Sequence, residues 1–243
     1  MEKQKVEFRD LGQMDYKTAW DYQERLMQEN LAVKVKVGSW PLADSVKTIN
    51  HQRPTTHYLL FVEHPPVYTI GKSGKMEHVL INEGQRQEKG IEFYQTNRGG
   101  DITFHGPEQI VGYPILDLEK FYTDIGRYLR ELEEVIIITL ADFGIVASRS
   151  AGETGVWIDA AIKGQERKIC AMGVRCSRWI TMHGFALNVN TDLSYFNHII
   201  PCGIQHKKVT SIKEELGREM PMNEVKEKLK KNFAKVFNVE LRG

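Results

Sequence analysis

Little in this sequence points to chemistry built on disulfides or metal. Three cysteines are present, none in a CxxC pair and none at zinc-site spacing from histidines, which argues against a disulfide framework and a structural zinc. The odd count points to reduced thiols. No apolar run approaches the ~20 residues of a membrane helix. The opening MEKQKVEFRD lacks the apolar centre of a signal peptide, and its acids argue against a transit peptide, so a cytosolic protein is expected. Charge of one sign is missing too. Lys and Arg number 33 against 32 Asp and Glu, a net +1 that gives no global reason to expect nucleic acid. Internal repeats and low-complexity linkers are absent. What remains is a globular composition, 41% hydrophobic and 27% charged, at a length that suits one large domain.

Read in order, Lys5 to Asp10 predicts a short edge strand, and Tyr16, Ala19, Trp20, Leu26, Met27 and Leu31 predict a helix from about Asp15. Residues 38–56 read as a surface loop. HYLLFV from His57, PVYTI from Pro66 and IEFYQTN from Ile91 predict strands, with a long glycine-containing excursion over residues 71–90. A glycine-rich turn from Arg98 to Pro107 then leads to a strand from Val111. Ile125, Tyr128, Leu129, Leu132, Val135, Ile136 and Leu140 mark an amphipathic helix that Gly144 ends. GIVASR, GVWIDA and KICAMGVRC read as strands, the last two joined at Lys163–Glu166, and ITMHGFALNVN as another. A helix over about residues 223–237 has a basic outer face, most simply a solvated one. Runs of strands interrupted by helices, without steady βαβ alternation, predict an α+β fold with a mixed or antiparallel sheet.

The residues with chemical promise cluster between Lys168 and Gly203. Cys202 lies between Pro201 and Gly203, in a turn expected to expose its sulfur, whereas Cys170 and Cys176 lie in a strand-like apolar run and read as structural. Lys168 opens that run. It is either a strand-end lysine snorkelling to water or an ammonium in a partly desolvated site, where it would favour a nearby thiolate. A Cys–His dyad is the alternative, with His183 beside Gly184, a glycine that would remove bulk next to a pocket. Arg98 and His105 bracket the glycine-rich turn with donors suited to a phosphate or carbonyl oxygen, although a hairpin that needs glycine for shape, with a structural histidine, is the commoner arrangement.

Together these segments resemble one family, the lipoyl(octanoyl) transferases. The matching motifs are EHPPVYTIG from Glu63, RGGDITFHGPEQIVGYPILDL from Arg98, GVW from Gly155, KICAMGV from Lys168, TMHGFALNV from Thr181 and IPCGI from Ile200. The resemblance implies a biotin/lipoyl protein ligase-like catalytic fold, here one domain over residues 1–243 with its motif core at 57–210. It implies transfer of an octanoyl group from octanoyl-acyl carrier protein through a cysteine thioester, without ATP, metal or other cofactor. The acceptors would be lysines on lipoyl domains of 2-oxoacid dehydrogenase complexes and on the glycine cleavage H protein, the first step of endogenous protein lipoylation. Neither nucleic acid nor membrane would take part. Residue by residue, the acyl-accepting cysteine falls on Cys202 and the essential lysine on Lys168. Substrate-binding positions fall on Arg98, Gly99, Gly100, Asp101, Ile102, Thr103, Phe104 and His105, on Ala171, Met172 and Gly173, and on His183, Gly184, Phe185 and Ala186. Two residues depart from the usual pattern: Glu108 stands where glycine is usual, and Cys170 where alanine is common. The rivals are an ATP-dependent lipoate- or biotin-protein ligase, which shares the fold, and a silent binding protein on the same scaffold. Lys207 and Lys208 are candidates for steering acidic partner domains.

Overall fold

The computed structural model describes residues 3–38, 54–200 and 208–243. Its elements run β1 (Gln4–Gln13), α1 (Tyr16–Gly38), β2 (His57–Glu63), β3 (Val67–Ile70), α2 (Glu83–Glu88), β4 (Glu92–Gln95), β5 (Ile102–His105) and β6 (Gln109–Ile115). Then follow α3 (Ile125–Ala141), β7 (Ser148–Ser150), β8 (Glu153–Ile158), β9 (Arg167–Ser177), β10 (Ile180–Asn188), β11 (Lys208–Val209), α4 (Ile212–Leu216), α5 (Met222–Val236) and β12 (Val239–Arg242). The larger sheet has the order β12-β1-β2-β6-β10-β9-β8-β7, and β11 pairs with β9; the smaller has the order β4-β3-β5. The expected α+β mixed sheet is present: β12, β1 and β2 are parallel, and β2, β6, β10, β9, β8 and β7 pair antiparallel in turn.

The central strands read as unbroken apolar runs because both faces of the sheet are covered. In β2, Leu59 and Phe61 point into a core shared with α3 and α5, while Tyr58, Leu60 and Val62 point into a core shared with α1. Helix α1 begins where Asp15 Oδ1 accepts the N–H of Thr18 at 2.8 Å, and α3 where Asp124 Oδ1 accepts that of Arg127 at 2.9 Å. A third core, around Tyr68, Ile70, Ile102, Phe104 and Phe196, closes the small sheet.

Three expectations change. β1 is not an edge strand, because β12 adds to it in parallel, Val6 opposite Leu241. Four residues of VELR near the end of the chain are too short a run to read as that strand. The segment expected as one turn from Arg98 to Pro107 contains a strand, β5, which pairs antiparallel with β3. The excursion over residues 71–90 holds α2, whose start is a capping box between Asn82 and Gln85. Of the loop expected at residues 38–56, positions 39–53 lie outside the described residues.

Candidate functional site

A cavity of about 510 Å³ lies where the 98–103 segment rests on β9 and β10. This volume is within the ~300–1,000 Å³ range of small-molecule pockets. Its lining is mainly apolar, with a few polar groups. The approach of turn to sheet needs glycine on the sheet side. Gly99 N–H donates to Val174 O at 2.9 Å, and a Cβ on Gly173 would stand 2.7 Å from Gly99 O. Gly100, at φ +85°, makes the turn itself.

Arg98 acts on the turn from inside. It is buried, its Nη2 donates to Thr69 O at 2.6 Å and to Thr69 Oγ1 at 2.9 Å, and its Nη1 donates to Gly99 O at 3.0 Å. His105 has both ring nitrogens engaged, Nδ1 with Gln109 Oε1 at 2.9 Å and Nε2 with Thr69 Oγ1 at 3.3 Å. Gln109 Nε2 donates to Phe104 O and to Asn188 Oδ1, so Gln109 Oε1 is an acceptor and His105 carries its proton on Nδ1. Burial holds His105 well below the ordinary histidine value, with His64 and Arg98 adding to the effect. It is therefore a neutral histidine of the wall.

His183 is placed by a different chain of bonds. Asn97 Nδ2 donates to Glu24 Oε1 at 3.0 Å, which leaves Asn97 Oδ1 to accept from His183 Nε2 at 2.8 Å. His183 is buried at a left-handed φ of 58°, its N–H donates to Gln23 Oε1 at 3.0 Å, and burial, then Arg98 and Arg175, lowers its pKa to about 3. An imidazole held neutral in this way is a weak base near pH 7.

Lys168 occupies a division in the sheet. Strand β10 pairs with β9 only as far as Cys170, opposite Leu187; at Lys168 the same side is taken by β11, with Val209 opposite Lys168 and Thr210 N–H donating to Lys168 O at 3.0 Å. On the other side, β8 and β9 slip register, so that Val156 faces Cys170 but Trp157 faces Lys168. Lys168 is buried, and its Nζ stands 4.6 Å from the Trp157 ring centroid. Gly155, at φ +120°, lies beside its stem: a Cβ there would stand in ordinary contact with Lys168 Cε at 3.5 Å but would clash with Cys170 O at 2.6 Å.

Around this cavity stand Lys168, residues 98–103, His105, residues 171–173 and residues 183–186. Phe104 is elsewhere. As the alternation of β5 dictates, its ring turns into the third core, stacked on Tyr195 at 4.6 Å and 6°. Gly184 lines the cavity, but for another reason than the expected removal of bulk beside it, since its missing Cβ would stand 2.1 Å from Gly112 O on β6. Cys202 and Lys207 lie outside the described residues. The described chain on either side of Cys202 borders the cavity through Phe196 and Val209, and Ile200 N–H donates to His78 O at 2.9 Å. His78 Nδ1 in turn lies 2.7 Å from Oδ2 of the lining residue Asp101. Cys170 is buried and burial pushes its thiol pKa up; Cys176 is half-buried and shifted the same way. Burial thus favours the protonated thiol in both.

Among the lining residues the sequence reading missed are Tyr16, Tyr113, Glu153 and Leu129, which add to the wall from α1, β6, β8 and α3. Tyr16 stacks on His105 at 5.9 Å and 11°, a contact between residues 89 positions apart that no local pattern signals. No group of residues arranged to hold a metal occurs among the described residues. No described helix is long and apolar enough to cross a membrane.

Residues 15–234 match the family model described as the lipoyl protein ligase A/B catalytic domain. Similar proteins include an octanoyltransferase of Christiangramia forsetii, 56% identical over 238 residues that cover 98% of this chain and 97% of that protein. An octanoyltransferase of Flavobacterium johnsoniae is also 56% identical, covering 98% of each chain. Among solved structures, a bipartite lipoate protein ligase of Thermoplasma acidophilum superposes with a TM-score of 0.67 over 98% of this chain and 86% of that one, at 16% identity. A lipoate-protein ligase A bound with ATP gives 0.65 over 100% and 88%, at 15% identity. These likenesses between structures concern the fold alone.

Proposed function

The chain belongs to the lipoyl protein ligase A/B catalytic-domain family, and within it to the octanoyltransferases, which are acyltransferase enzymes; from that premise we propose that it moves an octanoyl group from acyl carrier protein to a lysine of a lipoyl domain through a thioester on Cys202. The observation that carries this reading is the position of Lys168. It is a buried lysine on the wall of a mainly apolar cavity, and Phe196 before Cys202 and Val209 after it line that same cavity.

In the first half-reaction the Cys202 thiolate attacks the donor thioester carbonyl, the carbonyl–sulfur bond of the donor breaks, and the carrier leaves as its thiol. Lys168 handles the proton that passes from Cys202 to the leaving sulfur. In the second, the acceptor lysine amine attacks the Cys202 thioester, gives its surplus proton to Lys168, and expels Cys202. One thioester replaces another at little thermodynamic cost, and the amide is the more stable product, so ATP is not needed. The apolar wall holds the acyl chain at roughly 0.8 kcal/mol for each methylene buried. The acceptors are lipoyl domains of 2-oxoacid dehydrogenase complexes and the glycine cleavage H protein, met in the cytoplasm by a single catalytic domain. Lys208, exposed on β11, stands where an acidic partner domain would approach.

Cys202→Ser and Lys168→Ala are each expected to lose octanoyl transfer from acyl carrier protein to a lipoyl domain while keeping the wild-type circular dichroism and melting profile. A fully active Lys168→Ala protein, or transfer that appears only when ATP and free octanoate are supplied, would overturn the reading.

A further inference from the structure

Glu133 is a carboxylate with 0% exposure on α3, a costly arrangement unless its oxygens are matched by donors. The two oxygens divide the work. Oε2 accepts from Arg149 Nε at 3.2 Å and forms an ion pair with Arg130 Nη1 at 2.8 Å, whereas Oε1 accepts the main-chain N–H of Gly155 at 2.9 Å. Both guanidiniums reach solvent, being 44% and 35% exposed, and can be hydrated without Glu133. Gly155 is buried in β8 and has no such recourse. The unique service of this carboxylate is therefore to tie β8 to α3 at Gly155.

Gly155 is a neighbour of the Lys168 stem. It holds φ +120°, a conformation that favours glycine, and the position its Cβ would take is 3.5 and 3.7 Å from Cε and Cδ of Lys168. Two residues further along the same strand, the Trp157 ring faces the Lys168 ammonium. The lysine stem and head are thus both bounded by β8, at the point where β8 and β9 slip register. A shift of β8 at Gly155 moves the walls that select the lysine rotamer.

We propose that Glu133 is a positioning residue for Lys168, acting through the Gly155 backbone and without contact with substrate. The inference rests on the role given to Lys168 above. Its test uses the full chain with two variants that separate reach from charge. Glu133→Gln keeps a carbonyl oxygen at the same reach and removes the charge, and Glu133→Asp keeps the charge and withdraws the oxygen by one methylene. Acylation by octanoyl-acyl carrier protein, with acceptor withheld, counts competent sites; kcat per competent site and KM for the donor are then measured for each protein. Glu133→Gln is expected to stay within about threefold of wild type, and Glu133→Asp to lose kcat by about tenfold or more with an unchanged donor KM, the penalty of a slightly misplaced proton-transfer group. Wild-type kcat per site in Glu133→Asp, with only the number of competent sites reduced, would mean a structural role alone and overturn the proposal. The reverse order of the two variants would overturn it too. Wild-type kcat per site in Lys168→Ala would instead sink the reading of Lys168 on which the inference stands.

Discussion

At position 108, where the resemblance implies glycine and the chain has glutamate, the backbone takes the conformation glycine would have. Glu108 sits at φ 58°, where an L-residue carries a cost of about 1–2 kcal/mol. Its surroundings hold it there: its N–H donates to Glu63 Oε2 at 3.2 Å, its carbonyl accepts from Asn190 N–H and Thr191 Oγ1, and its Oε1 accepts from Asn190 Nδ2 at 3.2 Å. Replacing it by Ala or by Gly removes the same side-chain bond, but only Gly relieves the backbone. Glu108→Gly should therefore exceed Glu108→Ala in stability by about 1 kcal/mol, read from urea midpoints. An Ala variant as stable as the Gly variant would show that the turn is not strained. The departure itself was legible in the sequence; its cause was not, since φ at one residue has no signature in residue order. His105 teaches the same lesson. Beside a glycine-rich turn it resembles a ligand-binding group, yet both nitrogens are engaged within the protein.

Among the elements, legibility followed period and length. The apolar runs of β2, β6 and β10 and the helical spacing of α3 and α5 were readable because each repeats its pattern over at least seven residues. Short or paired-by-distance pieces were not: β5 is four residues inside a glycine-rich stretch, and β12 acquires its role only by lying against β1. The close packing of β10 on β6 was hidden in the same way. Phe185 pairs with Gly112, and a Cβ at the preceding Gly184 would press on the Gly112 carbonyl at 2.1 Å and on Pro114 Cδ at 2.7 Å. Backbone cannot step aside as a side chain can. Gly184→Ala should cost about 1–3 kcal/mol by overpacking. A melting temperature equal to wild type would show that β6 and β10 separate freely.

For the molecule as a whole, the buried histidines set a pH limit. His57 and His64 have pKa values lowered to about 4 and His183 to about 3, in each case mainly by burial. Unfolded histidine titrates near 6.5, so between pH ~6.5 and ~4 the unfolded chain binds more protons than the folded one. Stability is therefore fully present above pH ~6.5 and falls with acid, by up to about 1.4 kcal/mol per pH unit for each such histidine. Urea midpoints should be level from pH 8 to 7 and drop clearly by pH 5. A midpoint unchanged at pH 5 would contradict the buried, neutral state of these rings. The same scale holds the central claim, that a cavity walled by Lys168 serves an acyl group carried on Cys202. Intact-protein mass after mixing with octanoyl-acyl carrier protein, without ATP and without acceptor, tests it most directly. The account predicts a gain of one octanoyl group in the wild type and none in Cys202→Ser. An unmodified wild-type mass, or an equal gain in the Cys202→Ser protein, would contradict it.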